Sequence, residues 1–503
     1  MKYILNSHEM KQCDENTMQR RGMLSAVLME RAALATVQEI INRFPIPKTK
    51  VLVVCGSGNN GGDGVAVGRL LWLKGYDVTV FFAGNRERVT EETKRQLFIA
   101  EQYGVCITEA YPEENMDVIV DAIFGIGLSR AVSGRYADLI QMMNKQSGYK
   151  VAVDIASGIS ADSGMVMGTA FRADLTVTFG FAKIGQLLYP GAEYTGTLYV
   201  ADIGIDEQSL FEMQPQVQVM ESEDLNLLPE RKNRSNKGSY GKLLILAGSE
   251  QMAGAAVFAA KAAYRMGCGL VRVATVEENR LILQEQIPEA VLAVYNDCTD
   301  VVEFVETQLR WADAVVAGPG ISQSELAEKM LHELLRQVQV PCLCDADALN
   351  LIAQHTDWWQ EVQTRLIITP HLGEMSRLTG FPIGKIQDQL AQTAVAYAAK
   401  HQVTVVLKDA RTVTALPNGQ SFINLSGNHG MATAGAGDVL SGVIGALLAQ
   451  HMEPELAAPL GVYVHGLSGD AAAEKRGRCA MMASDIVEGI IDVLRKQEDT
   501  KKQ

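Results

Sequence analysis

The sequence predicts an α/β protein of two domains, each built on a largely parallel sheet. Three observations carry this. Short apolar runs such as KVLVVC (Lys50 to Cys55) and KLLILA (Lys242 to Ala247) have the unbroken hydrophobic character of strands buried on both faces. These runs alternate with helical patterns and end in glycine-rich or small-residue turns. The strand–turn–helix series also opens twice, and 503 residues exceed what one hydrophobic core serves.

In the first half, Met23 to Phe44 reads as an amphipathic helix. Leu24, Val27, Leu28, Arg31 and Leu34 set its spacing, and Pro45 and Pro47 end it. The strand Lys50 to Cys55 runs into GSGNNGGDGVAVGRLLWLKGY, Gly56 to Tyr76. This is the first strand–turn–helix unit of a doubly wound sheet, with a ligand crevice beyond the strand's carboxyl end. Further strands are expected at Asp77 to Phe82, Met116 to Phe124, Tyr149 to Ile155, Leu175 to Phe181 and Tyr194 to Ala201. A polar helix is expected around Glu91 to Tyr103.

Three strand ends carry an acid nearby, Asp63, Asp121 and Asp154, and a parallel sheet gathers such ends at one crevice. GSGNNGG is not GxGxxG, and no Lys-Ser/Thr follows it, so it is neither a dinucleotide fingerprint nor a Walker motif. A turn needs one Asn or Asp for left-handed φ; Asn59, Asn60 and Asp63 together suit either an elaborate turn or a ligand or ion site. Asn60, Asp121 and Ser157 offer oxygen ligands to a cation, with no soft ligand near.

The pattern weakens after Ile205, and the predicted domains are residues 1–215 and 216–503. The polar, basic stretch Glu230 to Gly238 reads as a solvated linker or as a lid over an anionic substrate. In the second half, strands are expected at Lys242 to Ala247, Leu270 to Thr275, Ala312 to Ala317, Gln339 to Asp345, Leu366 to Thr369 and Val403 to Lys408. A small-residue helix spans Ala253 to Met266, suited to close packing against a neighbour or a ligand. Thr412 to Ala415 reads as the next strand of a hairpin beside a nucleotide. His371, between Pro370 and Leu372-Gly373 at a strand end, suits either a structural role or ligand contact. Lys408 and Arg411 suit either nucleotide phosphates or the acidic surface.

The densest motif is SGNHGMATAGAGDVLSGVIGALL, Ser426 to Leu448, whose apolar helical pattern begins at Val439. A Gly-rich turn opening a helix aims backbone N–H groups at an anion. Asp438 stands where a phosphate would dock and would repel it unless it has chemistry to do. A carboxylate beside an anion hole suits a base that deprotonates a hydroxyl for phosphoryl transfer; the plain alternative is a helix cap.

Bulk composition narrows the classes. A net charge of −14 argues against broad nucleic-acid binding, which needs a basic face. The eight cysteines are scattered, and Cys342 and Cys344 read as a core pair on one strand face. MKYILNSHEMKQCDEN lacks a signal-peptide apolar region, and no apolar run approaches the ~20 residues that span a membrane, so a soluble, cytoplasmic, reduced protein is expected.

The second half resembles the ADP- or ATP-dependent NAD(P)H-hydrate dehydratases of ribokinase-like fold. The shared stretches are GSYGKLLILAGS, Gly318-Pro319-Gly320, DADALN (Asp345 to Asn350), TPHLGEMSRL (Thr369 to Leu378) and SGNHGMATAGAGDVLSG. The first half resembles the Rossmann-like NAD(P)H-hydrate epimerases in Glu9, Met10 and Asp14, LMERAA (Leu28 to Ala33), GSGNNGGDG, VDAIFGIGLSR (Val120 to Arg130) and DIASGISADSG (Asp154 to Gly164). The resemblance covers nearly the whole chain, in the order of the bifunctional bacterial repair enzymes.

It implies repair of reduced nicotinamide cofactors that have added water at C6: epimerisation of R and S hydrates of NADH and NADPH, then dehydration of the S hydrate. The dehydration consumes ADP with Mg2+ and gives AMP and phosphate. Asp438 is then the base and Gly435 to Gly437 the anion hole. Ala253, Gly320 and His371 match positions contacting the hydrated cofactor, while Lys408, Asp409, Ala410, Arg411, Thr412 and Gly437 match the adenine-nucleotide site. In the first half Asn59, Asn60, Gly61, Gly62, Asp63, Gly125, Ile126, Gly127, Leu128, Ser129, Arg130, Ala131 and Asp154 match hydrate-binding positions. Asp154 is the acid/base, and Asn60, Asp121 and Ser157 match a K+ site. The resemblance also implies a homo-oligomer.

The chain departs from the family pattern at Asp409, where Gly is expected, at Ile321-Ser322 after GPG, and at His429 in place of Pro. The competing reading is a ribokinase-like small-molecule kinase carrying a non-catalytic, nucleotide-binding first half.

Overall fold

The computed structural model describes residues 1–46, 48–112 and 114–501. The chain packs as two units, Tyr3–Val217 and Met1–Lys2 with Gln218–Gln503.

In the first unit the seven strands are β1 (Lys50–Cys55), β2 (Asp77–Phe82), β3 (Cys106–Thr108), β4 (Val118–Ala122), β5 (Tyr149–Val153), β6 (Leu175–Phe179) and β7 (Thr197–Ala201). Their order is β3-β2-β1-β4-β5-β6-β7, all parallel. Alternate residues of β1 serve two cores: Val51, Val53 and Cys55 one, Leu52 and Val54 the other. That two-sided burial is why the strand reads as an unbroken apolar run. The strand order reverses between β1 and β4, which leaves a crevice beyond their carboxyl ends.

The helix Ser25–Arg43 presents a different face from the predicted one. Leu24, Val27 and Leu34 are exposed, and Arg31 turns outward to Asp202. Met29, Ala32, Ala33, Thr36, Val37 and Ile40 are buried with Leu28, because this helix packs closely on Asn59–Leu73 and small residues permit the approach. Pro47, expected to end the helix, lies outside the described residues; the helix ends at Arg43, before Pro45.

The second unit's nine internal strands are β8 (Lys242–Leu246), β9 (Leu270–Val276), β10 (Val291–Tyr295), β11 (Ala314–Ala317), β12 (Cys342–Cys344), β13 (Leu366–Ile368), β14 (Thr404–Leu407), β15 (Val413–Ala415) and β16 (Ser421–Ile423). They run in the order β16-β15-β14-β13-β12-β11-β8-β9-β10, parallel except for β14-β15-β16. The direction of winding reverses between β8 and β11. The expected strands run shorter here, to three residues at β12, where Cys342 and Cys344 are both buried and free. The sequence reading lacks β3, β10 and β16: β3 and β16 have three residues each, and β10, at the sheet edge, is the apolar run Val291 to Tyr295, which the reading passes over.

The helix Ala436–Ala449 starts three residues before the expected Val439, because the small residues at its head are already helical. It packs on the helix Ala253–Arg265. A Cβ at Gly442 would lie 2.1 Å from the Ala259 carbonyl oxygen, so the two backbones nearly touch. No helix among the described residues is long and apolar enough to cross a membrane.

Candidate active sites

In the first unit a cavity of about 660 Å³ opens at the strand reversal. Asn59, Asn60 and Asp63 reach it from the turn and helix after β1, Gly125, Ile126, Gly127, Leu128, Ser129 and Arg130 from the loop after β4, and Asp154 from the end of β5. Three expected positions do not line it. A side chain at Gly61 would meet the Gly56 carbonyl oxygen and one at Gly62 would meet Met29 and Thr93, so both glycines serve the packing of the turn. Ala131 is exposed on its loop.

Asp154 has φ +65°, a left-handed conformation uncommon outside glycine. It is over-determined by its surroundings. Its amide donates to Val177 O at 2.8 Å, and the Gln186 side-chain amide donates to its carbonyl at 2.6 Å. Its carboxylate accepts from Thr178 Oγ1 at 3.0 Å and from Lys183 Nζ at 2.5 Å. Strain maintained in this way collects at functional positions. Lys183 is only 1% exposed, which makes the pair a buried one.

Two further acids face the same space. Burial pushes Asp14 up to about 7, with Asp154 adding to the shift and Lys183 opposing it. Burial, then the charges of Asp154 and Asp14, raise Asp63 well above the carboxylate range. Several charges share a site that one lysine cannot neutralise.

The cation hypothesis meets a partial frame. Asp121 is buried and accepts from Ser157 N and Oγ, each at 2.7 Å, and from Ile123 N at 3.2 Å. Ser157 Oγ in turn accepts from Phe124 N. Both amide atoms of Asn60 are buried without a partner, and its side chain lies beside Gly125. Orphaned oxygen and hard donors fit an alkali cation. Among the described residues no group of three or more His, Cys, Asp or Glu converges on a point.

In the second unit the helix Ala436–Ala449 begins at Gly435, whose φ of +89° turns the chain into it. Asp438 lies in its first turn. Burial and then the Asp345 charge push its carboxyl up to about 7, against the pull of Lys408. Lys408 Nζ is bonded to Asp345 Oδ1 at 2.7 Å, and Ser441 Oγ donates to the other Asp345 oxygen at 2.7 Å. A Cβ on Gly437 would stand 3.3 Å from Lys408 Nζ. Lys408, Asp345, Gly437 and Asp438 therefore form one cluster.

His371 joins it through the backbone: Lys408 N donates to Pro370 O at 2.8 Å. Its Nδ1 accepts from the amides of Gly373 and Glu374, capping the helix Leu372–Thr379. The ring's Nε2 faces Glu374, whose carboxyl burial raises to about 7. Gly320 lies against Met252 and Ala255, which places it at the head of the helix that Ala253 begins. Asp409 and Ala410 are exposed, Arg411 donates to Leu425 O, and Thr412 leads into β15.

Sequence reasoning missed Lys183, Asp345 as the partner of Lys408, Glu374, Ser441 and His465. His465 abuts Ala436 with Nε2 buried and unpartnered, and burial lowers its pKa to about 4. Lys183 carried one usable signal, a lysine just beyond the strand Leu175–Phe179 in a sheet whose other strand ends carry acids.

Comparison with known proteins agrees with this division. Residues 243–492 match the family model described as NAD(P)H-hydrate dehydratase, and residues 25–185 that described as YjeF-related protein N-terminus. A bifunctional NAD(P)H-hydrate repair enzyme of Moorella thermoacetica is 38% identical, over 99% of this chain and 97% of its own. The Escherichia coli enzyme of the same name is 36% identical over 92% and 88%. Among solved structures, the ADP/ATP-dependent NAD(P)H-hydrate dehydratase of Bacillus subtilis, co-crystallised with ATP/Mg2+, is 30% identical with a TM-score of 0.50, covering 56% of this chain and 99% of that one. A ribokinase-like superfamily protein of Enterococcus faecalis gives 28%, 0.51, 56% and 97%.

Proposed function

The chain belongs to the family of bifunctional NAD(P)H-hydrate repair enzymes, and from that premise we propose how its two units divide the work. The first unit interconverts the R and S hydrates of NADH and NADPH. The second dehydrates the S hydrate at the expense of ADP, releasing AMP and phosphate.

The observation that carries the second activity is Asp438, a half-buried carboxyl without an ion-pair partner among the described residues, in the first turn of a helix that opens on Gly435. Ionised, it takes the proton of the C6 hydroxyl as that oxygen attacks the terminal phosphoryl group of the nucleotide. The amides of Gly435 to Gly437 stabilise the charge that develops there. Lys408, anchored by Asp345 and backed by Ser441, supplies fixed positive charge beside the same turn. Phosphate then leaves from C6 with help from the ring nitrogen's lone pair, and loss of a C5 proton restores the dihydropyridine. His371, Gly320 and Ala253 hold the hydrated ring, and Lys408 to Thr412 with Gly437 hold the nucleotide. Magnesium would be brought with the nucleotide and would neutralise phosphate charge during the transfer.

In the first unit Asp154 exchanges protons with the hydrate, which lies against Asn59, Asn60, Asp63 and the loop Gly125 to Arg130. Asn60, Asp121 and Ser157 would hold K+, whose charge would favour bound anionic groups of the cofactor. The working form is a homo-oligomer in the cytoplasm.

A mixture of R and S hydrates incubated with ADP, or with ATP, tests the whole reading. Absorbance of the reduced nicotinamide returns and both hydrates disappear. A phosphorylated product accumulating without that absorbance would instead establish a kinase.

A further inference from the structure

Inversion at C6 of the hydrate asks for more than one proton-transfer group. The hydrate is a hemiaminal: C6 carries both the hydroxyl and the ring nitrogen. Breaking the C6–N bond opens the ring to an aldehyde. Rotation about C5–C6 then lets the nitrogen add to the opposite face. In the opening step the hydroxyl proton goes to a base and the O–H pair becomes the C=O bond. The C6–N pair goes to nitrogen, which takes a proton from an acid. Closure returns both protons, so the cycle balances without any other reactant.

Asp154 supplies one such group. The N-terminal segment supplies the other. Leu5 docks by two backbone bonds, its amide to Ala182 O at 3.0 Å and its carbonyl to Ile184 N at 3.1 Å, which bracket Lys183. Asn6 then caps the helix Ser7–Gln19 in a box with Glu9. Met10, Asp14 and Met18, successive positions on one face of that helix, line the cavity. One docking contact thus places both Lys183 and Asp14 against the site. The two lysine bonds that matter go to Asp154 and Thr178, and no hydrogen bond from a described residue reaches the Asp14 carboxyl.

Resting on the epimerase reading of this unit, we propose that Asp14 is the second catalytic residue of the cavity, donating to the ring nitrogen while Asp154 accepts from the hydroxyl. Lys183 is the positioning residue that fixes which acid is the base. Its ammonium holds the Asp154 carboxylate in place, and Asp14 remains free to carry a proton to the ligand. The charged groups facing Asp14 are Lys183, Asp154 and Asp63 across the cavity, and Lys11 and Glu15 on its own helix. Among them burial dominates, so near neutrality Asp14 exists in both forms, as a general acid working at that pH must.

The test uses the full chain without nucleotide, with purified R hydrate of NADPH and chromatographic separation of R from S, the spontaneous rate subtracted. The wild type interconverts the two, and its kcat/KM falls as pH rises through about 7, where Asp14 loses its proton. In Asp14→Asn the rate drops at least about a hundredfold, that alkaline fall disappears, and the Tm is not lowered. Asp14→Glu recovers part of the rate, and Lys183→Arg keeps the profile that Lys183→Met loses. A wild-type rate in Asp14→Asn, an unchanged alkaline fall, or a loss explained by a lower Tm overturns the assignment. So does loss of the rate in Asp63→Asn alone. A wild-type chain that does not interconvert the hydrates at all sinks the epimerase reading itself, which the variants then cannot be blamed for.

Discussion

Both units set a lysine–aspartate pair with one fully buried partner, Lys183 or Asp345, at the carboxyl ends of parallel strands, yet they use it differently. In the first, the paired acid Asp154 is itself the proposed proton acceptor, and its backbone is strained to reach the cavity. In the second, the paired acid Asp345 stands behind the site, and the proposed base Asp438 has no ion-pair partner of its own among the described residues. The difference follows the chemistry. Opening a hemiaminal needs a base held in a fixed orientation, which the bonds from Lys183 and Thr178 supply. Deprotonating an alcohol beside nucleotide phosphates needs a more basic carboxyl, and burial beside another acid provides it.

The contrast breaks most sharply with Asp438→Asn. Dehydration of the S hydrate should fall by about 10³-fold or more, with ADP affinity by calorimetry equal or improved and nucleotide-free interconversion untouched. The same change should raise the Tm at pH 8. Burial opposes the charge, so this carboxyl costs stability as pH climbs from about 4 towards its folded value of about 7. Asp154→Asn should do the reverse. Interconversion should fall by about 10²-fold, S-hydrate dehydration should hold, and mixed hydrates should stall with R left over, as read by chromatography.

Lys408→Met sharpens the comparison from the other side. It strands Asp345 in the interior, so urea unfolding of the second unit should show a loss of about 3 kcal/mol, along with weakened nucleotide binding. The pH profiles should differ in the same sense. Below pH 7 dehydratase kcat/KM should fall about tenfold per unit as Asp438 takes up its proton. The smallest effect is expected of Asn60→Ala. It should reduce the stimulation of interconversion by KCl over matched NaCl, within about a tenfold range of rate.

The parallel cores were legible because strands buried on both faces leave unbroken apolar runs, as KVLVVC and KLLILA do. The edge strand Val291–Tyr295 is also an unbroken apolar run, which the sequence reading passes over, whereas the three-residue strands Cys106–Thr108 and Ser421–Ile423 are too short to leave one. The helix Ser25–Arg43 misled because Leu24, Val27 and Leu34 face outward, while Met29, Val37 and Ile40 pack with Leu28, Ala32 and Ala33. At the sites, the glycine turns and Asp438 could be read locally. The ion pairs could not: Lys183 and Asp154 are 29 positions apart and Lys408 and Asp345 63, and nothing local to either lysine announces burial. Asp14 sits on a polar helix whose role rests on the docking of Leu5, a long-range contact no periodicity records.

Shear between packed helices proceeds by small rotamer adjustments along the layer of side chains that separates them. Where Gly442 lies on the Ala259 carbonyl there is no such layer. At that point the helix that carries Asp438 and the helix that Ala253 begins are in backbone contact, with no side chains between them to adjust. That contact leaves hinge motion of the loops, rather than shear of this pair, for closure over a nucleotide, with the proposed base Asp438 and the proposed ring contact Ala253 each in the first turn of one of the two helices.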